Sequence, residues 1–504
     1  MKLLASKYWF LAVIFVVGIV NTVTMPYYFY AGDSAVQKSN AIELVNKHHF
    51  GLSEDINQNQ VFTTALTLNG QYYVYNPKTK RYVSRWGIFN SLVMAVPELF
   101  LPTKGHPIQF SRASITAHNI FNIVLSIIFA VYIFALSTSF AQKAFSHSTK
   151  CKISLIAFSF TIFTCYASFV WNYLRAQSYD VWHLLCFTMF ITHYFKGKAE
   201  DQLKSSAFPY PLKNVHLYLA ALVLGMMVLS KEIYGLIFLV ILLDLFWQKA
   251  SGKAYLFWVC YGALLLGLIG LMNYEAFNQV FLGRGRLHHD PSSTEAIFAL
   301  KYLWPRFKDY FLSPNWSIWV NFPLILLALC GMKEAFKYFK RLLRFLLITA
   351  AMFSVIFLIY YTKGEWCYGP RFYLFILPVL SLPAIFTMAQ ISLLKRPLKI
   401  LCGLIIVTVL TLNLGGQHYI NKREFFMSYT YASLFETWKL PLAYFDERPR
   451  VLLMKDIDEL IKYQKPNAFY DLAVQQTTTN EEKIQRIVRI RAIDEAYRSN
   501  YYFW

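Results

Sequence analysis

The chain of 504 residues contains few charged side chains. Only 15% of its residues are Asp, Glu, Lys or Arg, whereas 56% are hydrophobic and 18% are aromatic. Soluble globular domains carry about 25% charged residues, so this composition excludes an ordinary soluble domain. Several apolar runs approach the roughly 20 residues that a helix needs to cross a bilayer. The sequence therefore predicts an all-α polytopic membrane protein.

Acidic residues are particularly scarce. The chain has 28 acidic and 49 basic residues, which gives a net charge of +21. In a soluble protein such an excess would suggest a nucleic-acid partner. Here the Lys and Arg residues concentrate in short segments between apolar runs, as the positive-inside rule describes for membrane proteins. We therefore expect membrane lipids and no nucleic acid as partners.

Signals for a metal or a disulfide framework are also lacking. The seven cysteines lie mostly inside apolar runs, and none forms a C-x-x-C motif, which argues against disulfides and zinc. The His288-His289-Asp290 sequence could in principle ligate a divalent ion. Because it lies beside Arg284 and Arg286, it fits a solvated surface better. We expect no metal and no cofactor.

About eleven segments are predicted to cross the membrane. They are 8–24, 115–138, 153–171, 180–195, 216–229, 232–247, 254–272, 317–331, 344–361, 372–391 and 399–413. The segment 86–102 is ambiguous, because Asn90, Ser91 and Glu98 interrupt its apolar face. If it lies along the outer surface, the inner segments hold most basic residues and the short outer turns hold only Arg175, Lys231, Lys363 and Arg371.

This topology places the N-terminus in the cytoplasm and the C-terminus outside. Residues 1–413 then form a transmembrane domain with external loops at 25–114 and 273–316. Residues 414–504 form an external, α-rich C-terminal domain, with helical patterns near 451–463 and 481–497.

Gly32-Asp33 stands at the outer end of the first membrane helix, Tyr8 to Val23. An aromatic segment, Met25 to Tyr30, separates the two, and Trp and Tyr favour the membrane–water interface. Asp33 is thus expected where a water-soluble group and a lipid headgroup can meet, in front of a short amphipathic helix. The position suggests chemistry on a lipid-linked substrate, although Asp33 could instead simply cap that helix.

The first external loop and a later turn carry further motifs. They are Asn69-Gly70-Gln71-Tyr72, Ser84-Arg85-Trp86-Gly87 with Pro97, and Trp366-Cys367-Tyr368-Gly369-Pro370-Arg371 followed by Pro378. Together with Gly32-Asp33 they resemble the bacterial GT-C glycosyltransferases, relatives of the protein O-mannosyltransferases and lipid A aminoarabinose transferases. The chain departs from that pattern at Asn69, at Arg85-Trp86 and at Asn90. It also has Ser34 where many members carry a second acidic residue.

The resemblance implies an inverting enzyme of the inner (cytoplasmic) membrane that takes a sugar from a polyprenyl-phosphate donor. The acceptor, on the outer face, would be a lipid, a glycan or a protein. Asp33 would act as the base or orient the acceptor, and Arg371 would bind the donor phosphate through its bidentate fork. The further substrate-binding candidates are Asp180, Tyr368, Arg85 and Lys231.

Each assignment has a structural alternative. Asp180 could be a helix N-cap, Arg371 could reach for phospholipid headgroups, and Lys231 could pair locally with Glu232. A transporter or flippase of lipid-linked glycans is a second functional class, and a non-catalytic envelope assembly factor is a third. Transporters tend to show internal repeats and charges at the membrane midplane. No repeat is visible here, and the ionisable residues gather at the ends of the predicted spans.

The predicted topology can be tested by cysteine labelling of intact cells. A cysteine at Ser428 should react with a membrane-impermeant maleimide, whereas one at Ser146 should react only after the cells are permeabilised. The reverse pattern would overturn the orientation that the positive-inside rule predicts.

Overall fold

A computed structural model describes most of the chain and positions the helices. The described residues are 2–24, 32–53, 73–84, 88–101, 112–175, 180–203, 215–278, 280, 298–313, 317–360 and 370–427. The predicted helices of the C-terminal domain and the His288-His289-Asp290 sequence lie outside them. The division of the chain at residue 413 stays a prediction, although one helix runs continuously past that position.

Helices account for nearly all of the regular structure in the described part. In chain order they are α1 (Lys2–Thr24), α2 (Gly32–Lys47), α3 (Ile88–Glu98), α4 (Arg112–Ala144), α5 (Lys150–Tyr166), α6 (Val170–Arg175), α7 (Asp180–Leu203), α8 (Val215–Ser230), α9 (Ile237–Trp247), α10 (Gly252–Phe277), α11 (Leu303–Phe307), α12 (Ile318–Asn321), α13 (Leu324–Ile359), α14 (Leu377–Leu380), α15 (Ala384–Leu393) and α16 (Arg396–Met427). Single turns of 3-10 helix occupy Glu232–Leu236, Leu300–Tyr302 and Arg371–Tyr373, and a π turn occupies Lys308–Leu312.

The protein is a predominantly helical, multi-pass membrane protein. Four helices of the described part are long and apolar enough to cross a membrane, at Thr116–Ala144, Gly252–Phe277, Leu324–Ile359 and Arg396–Leu414. Shorter apolar helices include Tyr8–Thr24 and Val215–Ser230. Each predicted span coincides largely with helical residues, while the total of about eleven spans stays a prediction.

Two regions refine the predicted pattern of spans. Residues between the predicted spans 317–331 and 344–361, expected as a basic inner loop, form the junction of two helical segments of α13, which meet at a kink at Phe339, where the dihedral angles are non-helical. Lys, Arg and Glu are good helix formers, so the basic residues extend the helices on both sides of the kink. The span expected at 372–391 is instead broken into the turn Arg371–Tyr373, α14 and α15, with Pro383 at the N-cap of α15.

Close packing of α13 against α15 requires a glycine. A Cβ atom at Gly331 would collide with the carbonyl oxygen of Pro383. The Thr387 hydroxyl donates a hydrogen bond of 2.6 Å to the carbonyl of Leu327 across the same contact. Small residues allow membrane helices to approach in this way.

A small antiparallel sheet in the first external loop was not predicted. Its strands β1 (Leu52–Ser53), β2 (Tyr73–Asn76) and β3 (Arg81–Ser84) have the order β1-β3-β2. Asn76 donates hydrogen bonds of 3.1 and 3.0 Å to the carbonyls of Glu275 and Ala276. The all-α prediction therefore holds for the bundle, whereas the loop carries a short β hairpin that contacts the end of α10.

The helix α3 is too short, at eleven residues, to cross a bilayer. Asn90, Ser91 and Glu98, expected to interrupt its apolar surface, are all buried. Its exposed residues are instead apolar and include Leu92 and Val96. The polar side of α3 thus faces the protein, and its placement along the outer membrane surface stays a prediction.

A buried ion pair joins α9 to α13 at their predicted inner ends. Arg341 donates hydrogen bonds of 3.0 and 2.8 Å to the two oxygens of Asp244, and the Tyr194 hydroxyl donates one of 2.6 Å to the same carboxylate. The guanidinium also lies 5.7 Å from the Tyr194 ring centre. This bidentate geometry fixes the relative position of three helices.

Removing one member of this pair should destabilise the fold. Asp244→Leu leaves the Arg341 charge without its carboxylate and should lower the free energy of unfolding by about 3 kcal/mol. Glu334→Gln, which breaks the exposed pair with Lys337, should change it by less than about 1 kcal/mol. Thermal unfolding of both variants in the same detergent measures the difference. Equal losses would contradict a special role for the buried pair.

Candidate functional site

Asp180 and Arg371, two residues that the sequence singles out, form a direct ion pair. The Arg371 Nε atom lies 3.2 Å from Asp180 Oδ2, and their side chains are only 10% and 8% exposed. Asp180 is the first residue of α7, and Arg371 begins the 3-10 turn that follows Pro370. The N-terminus of α7 and the start of the 3-10 turn therefore meet at this ion pair.

Local sequence explains how each partner is presented. A carboxylate at the first residue of α7 faces the positive end of that helix, which favours its ionised form. Pro370 restricts the backbone just before Arg371. Asp180 and Arg371 therefore both lie at helix termini. Their charged groups can pair there without placing a charge in the middle of an apolar helix.

Lys231 adds a second positive charge to the pair. It follows α8 directly, and its ammonium lies 5.4 Å from the centre of the Phe372 ring. The charges of Arg371 and Lys231 both act on the Asp180 carboxylate. Two cations thus lie near one carboxylate, one of them in direct contact with it, and these three groups together carry a net positive charge.

A series of polar contacts extends from this site to α3. His183 Nδ1 lies 3.9 Å from Asp180 Oδ1, and its Nε2 lies 2.7 Å from the hydroxyl of Ser230. That hydroxyl donates to Asn90 Oδ1, and Asn90 Nδ2 donates a bond of 3.1 Å to the Ser230 carbonyl. Because the single Ser230 proton goes to Asn90, His183 Nε2 acts as the donor to Ser230.

Aromatic side chains line the apolar side of the site. The Tyr234 ring lies 4.9 Å from the His183 ring, and it also contacts Phe375 at 5.2 Å. Phe372 contacts Phe357 at 5.2 Å. Rings of this kind exclude water, and electrostatic interactions strengthen in such a low-dielectric environment.

Asp33 lies in the first turn of α2, which confirms the helix predicted behind the Gly32-Asp33 motif. Its carboxylate, and residues Arg85 and Tyr368, lie outside the described part. The helix α2 packs on α3 through Ala41, which contacts Met94 and Ala95. Through α3 and the Asn90–Ser230 contact, the helix that carries Asp33 is connected to the Asp180 site.

Of the six candidate residues, Asp180, Arg371 and Lys231 are thus brought together. Sequence reasoning missed His183 and Ser230, which complete the network. The signals were weak: His183 stands one helical turn after Asp180, and Ser230 precedes Lys231. Asn90 was noted as a departure from a family motif and as a polar interruption of segment 86–102, but not as a member of the site.

The metal prediction stays a prediction. The part of the chain that the structure describes contains no group of three or more His, Cys, Asp or Glu side chains that could hold a metal ion. The site's own donors point to a different ligand. A guanidinium and an ammonium bind oxyanions, and an arginine can engage two oxygens of a phosphate with its planar fork.

Comparisons with known proteins give structural likeness only. No protein-family model matches the chain, and no curated protein matches it. Among solved structures, the chain is similar to ArnT from Cupriavidus metallidurans, in a crystal structure bound to undecaprenyl phosphate, with a TM-score of 0.45 and 13% sequence identity over 97% of this chain and 76% of that one. The apo crystal structure of the same protein gives a TM-score of 0.43 and 14% identity over 97% and 75%.

Proposed function

We propose that this protein is a membrane glycosyltransferase that transfers a sugar from a polyprenyl-phosphate donor to an acceptor on the outer face of the membrane. The observation that carries the proposal is the convergence of Arg371 and Lys231 on Asp180, at the ends of apolar helices. A lipid-linked phosphate needs cations for its headgroup beside an apolar surface for its tail. The motifs that resemble GT-C glycosyltransferases include Asp33 and Arg371 and support the same conclusion.

In the proposed reaction the acceptor hydroxyl or amine attacks the anomeric carbon of the sugar. The Asp33 carboxylate takes up the acceptor's proton or orients its lone pair. As the new bond forms, the bond from the anomeric carbon to the phosphate oxygen breaks, and the polyprenyl phosphate leaves with the electron pair. Attack from the face opposite the leaving group inverts the anomeric centre.

Arg371 and Lys231 stabilise the phosphate that departs. Negative charge grows on its oxygens in the transition state, and preorganised cations in a site with little water stabilise such charge effectively. A guanidinium has five N–H donors, so Arg371 can contact Asp180 and a phosphate at the same time. Asp180 then orients the guanidinium, while the aromatic side chains nearby exclude water.

The Asp33 assignment predicts a loss of transfer on removing the carboxylate. Asp33→Asn keeps the size and the helix-capping ability of the side chain but removes the proton acceptor. Transfer should fall by about 10²- to 10⁴-fold. Mass spectrometry of envelope glycolipids and glycoproteins, in a deletion strain complemented with each variant, measures the effect.

Glu334→Gln is the control for this experiment. Glu334 forms an exposed pair with Lys337 in the segment expected on the inner side of the membrane, and its loss should leave transfer unchanged. If Asp33→Asn gives products within twofold of the wild type, Asp33 is a structural cap. A second assay, with the purified protein in detergent solution, separates an enzyme from a transporter or flippase. A flippase would form no glycosylated product there, whereas a glycosyltransferase would.

The Arg371 assignment predicts weaker binding of the lipid phosphate on replacement by lysine. Lysine keeps the charge but lacks the planar fork, so Arg371→Lys should weaken binding of undecaprenyl phosphate about tenfold or more. Titration of the purified protein in nanodiscs measures the affinity. Arg344→Lys is the matched control, because Arg344 packs on Trp247 at the predicted inner ends of their helices, and it should bind as the wild type does. Unchanged affinity in Arg371→Lys would leave Arg371 as a membrane anchor.

A further inference from the structure

A second buried charged cluster lies at the other end of α3. Three groups converge on one oxygen, Glu98 Oε1: Lys38 Nζ of α2 at 3.9 Å, His118 Nε2 of α4 at 2.9 Å, and the Ser114 hydroxyl of α4, which donates a short hydrogen bond. All four side chains are buried. The cluster therefore joins α2, α3 and α4 at a single carboxylate.

The charge states of the cluster follow from its geometry. Burial raises the pKa of Glu98, but the hydrogen bonds from His118 and Ser114 and the charge of Lys38 outweigh it and hold the pKa below its ordinary value. Burial lowers the pKa of Lys38 to about 7, and the Glu98 carboxylate opposes that decrease. Glu98 is thus ionised at neutral pH, and its carboxylate favours the charged form of the buried Lys38, which burial disfavours.

Burying charged groups in such a cluster carries a desolvation penalty, so the cluster contributes little net free energy to folding. Apolar residues of similar volume generally stabilise an interior as well as a buried ion pair does, or better. The adjacent Gln37 is also fully buried, and neither of its amide atoms has a hydrogen-bond partner among the described residues. Local costs of this kind concentrate where function requires a defined geometry.

Contacts along α2 and α3 show what the cluster holds in place. Lys38 meets Glu98 while Ala41 meets Met94 and Ala95, so the two helices run antiparallel. The start of α2, which carries Asp33, therefore lies toward the Glu98 end of α3. Lys38 is five residues from Asp33, or about 7.5 Å along the helix axis.

The opposite end of α3 belongs to the cationic site, because Asn90 bonds to Ser230 beside His183 and Asp180. One short helix thus connects the Asp33-bearing helix to the Asp180–Arg371 pair. We propose that α3 sets the distance between α2 and the Asp180–Arg371 pair. Glu98 is then a positioning residue that holds the start of α2 against α3. This inference rests on the proposed function, since it assigns Glu98 to the placement of Asp33.

Glu98→Gln tests the contact between Glu98 and Lys38 without changing the size of the side chain. It removes the carboxylate that holds Lys38, so the start of α2 should become less well placed. Misplacement of a reacting group by about 1 Å can cost around 10²-fold in rate, so we expect kcat to fall by about tenfold to a hundredfold. Binding of undecaprenyl phosphate, which depends on the other end of α3, should be unchanged. Amide hydrogen exchange should accelerate at residues 32–38 and not in the later half of α2.

Two further variants separate positioning from stability. Glu98→Asp keeps the charge and should recover part of the lost kcat. The double variant Lys38→Met/Glu98→Gln removes the buried lysine that Glu98→Gln leaves without its carboxylate, so its unfolding temperature should return toward that of the wild type while kcat stays low. Glu334→Gln, which breaks an exposed pair with Lys337, should leave kcat unchanged.

The outcomes distinguish this inference from the proposed function. If kcat returns together with the unfolding temperature in the double variant, Glu98 is only structural and the inference is wrong. It is equally wrong if Glu98→Gln turns over as the wild type does while Asp33→Asn is inactive. If Asp33→Asn retains full transfer, the proposed mechanism fails first, and the hydrogen-exchange result still reports whether Glu98 holds the start of α2.

Discussion

A charge inside a membrane bundle needs a partner of opposite sign, because neither lipid nor a close-packed interior can solvate it. In the described part of this protein, Asp180 pairs with Arg371, Asp244 with Arg341, and Glu98 with Lys38. Each pair joins residues from different elements of the fold. Each pair therefore adds a polar contact between elements that the apolar packing of the bundle brings together.

The pairs differ in their charge balance, and the difference bears on their roles. Asp244 and Arg341 form a bidentate contact that Tyr194 completes, and such a closed pair serves the fold. Asp180 instead faces both Arg371 and Lys231. An excess of positive charge beside an apolar wall is costly for an empty protein and favourable for one that binds a phosphate. The net charge of a buried cluster thus distinguishes a structural tie from a candidate binding site.

The helix α3 shows how a short element can serve both kinds of cluster. Its buried side carries Asn90 at one end and Glu98 at the other, whereas Leu92 and Val96 are exposed. Between them Met94 and Ala95 are buried against Ala41 of α2, so the buried side combines an apolar contact with a polar network at each end.

The sequence alone determined the class of the protein and the helical character of its spans, because apolar runs of sufficient length have few other structures available in a membrane. It also predicted the helix after Gly32 and identified Asp180, Arg371 and Lys231 as candidates, since charged residues at span ends are conspicuous in a chain with so few. The short strands were not predicted, because elements of two to four residues carry too little periodicity.

Tertiary structure alone decided the partners. His183, Ser230, Lys38 and Glu98 stand in the sequence without any spacing that links them, and their contacts cross from one helix to another. The structure of the basic segment of α13, which is helical on both sides of a kink at Phe339, was equally undetermined, because the same Lys and Arg residues suit an inner loop and a helix. Local pattern specifies which residues can form helices, whereas the pairing of buried charges depends on how those helices pack.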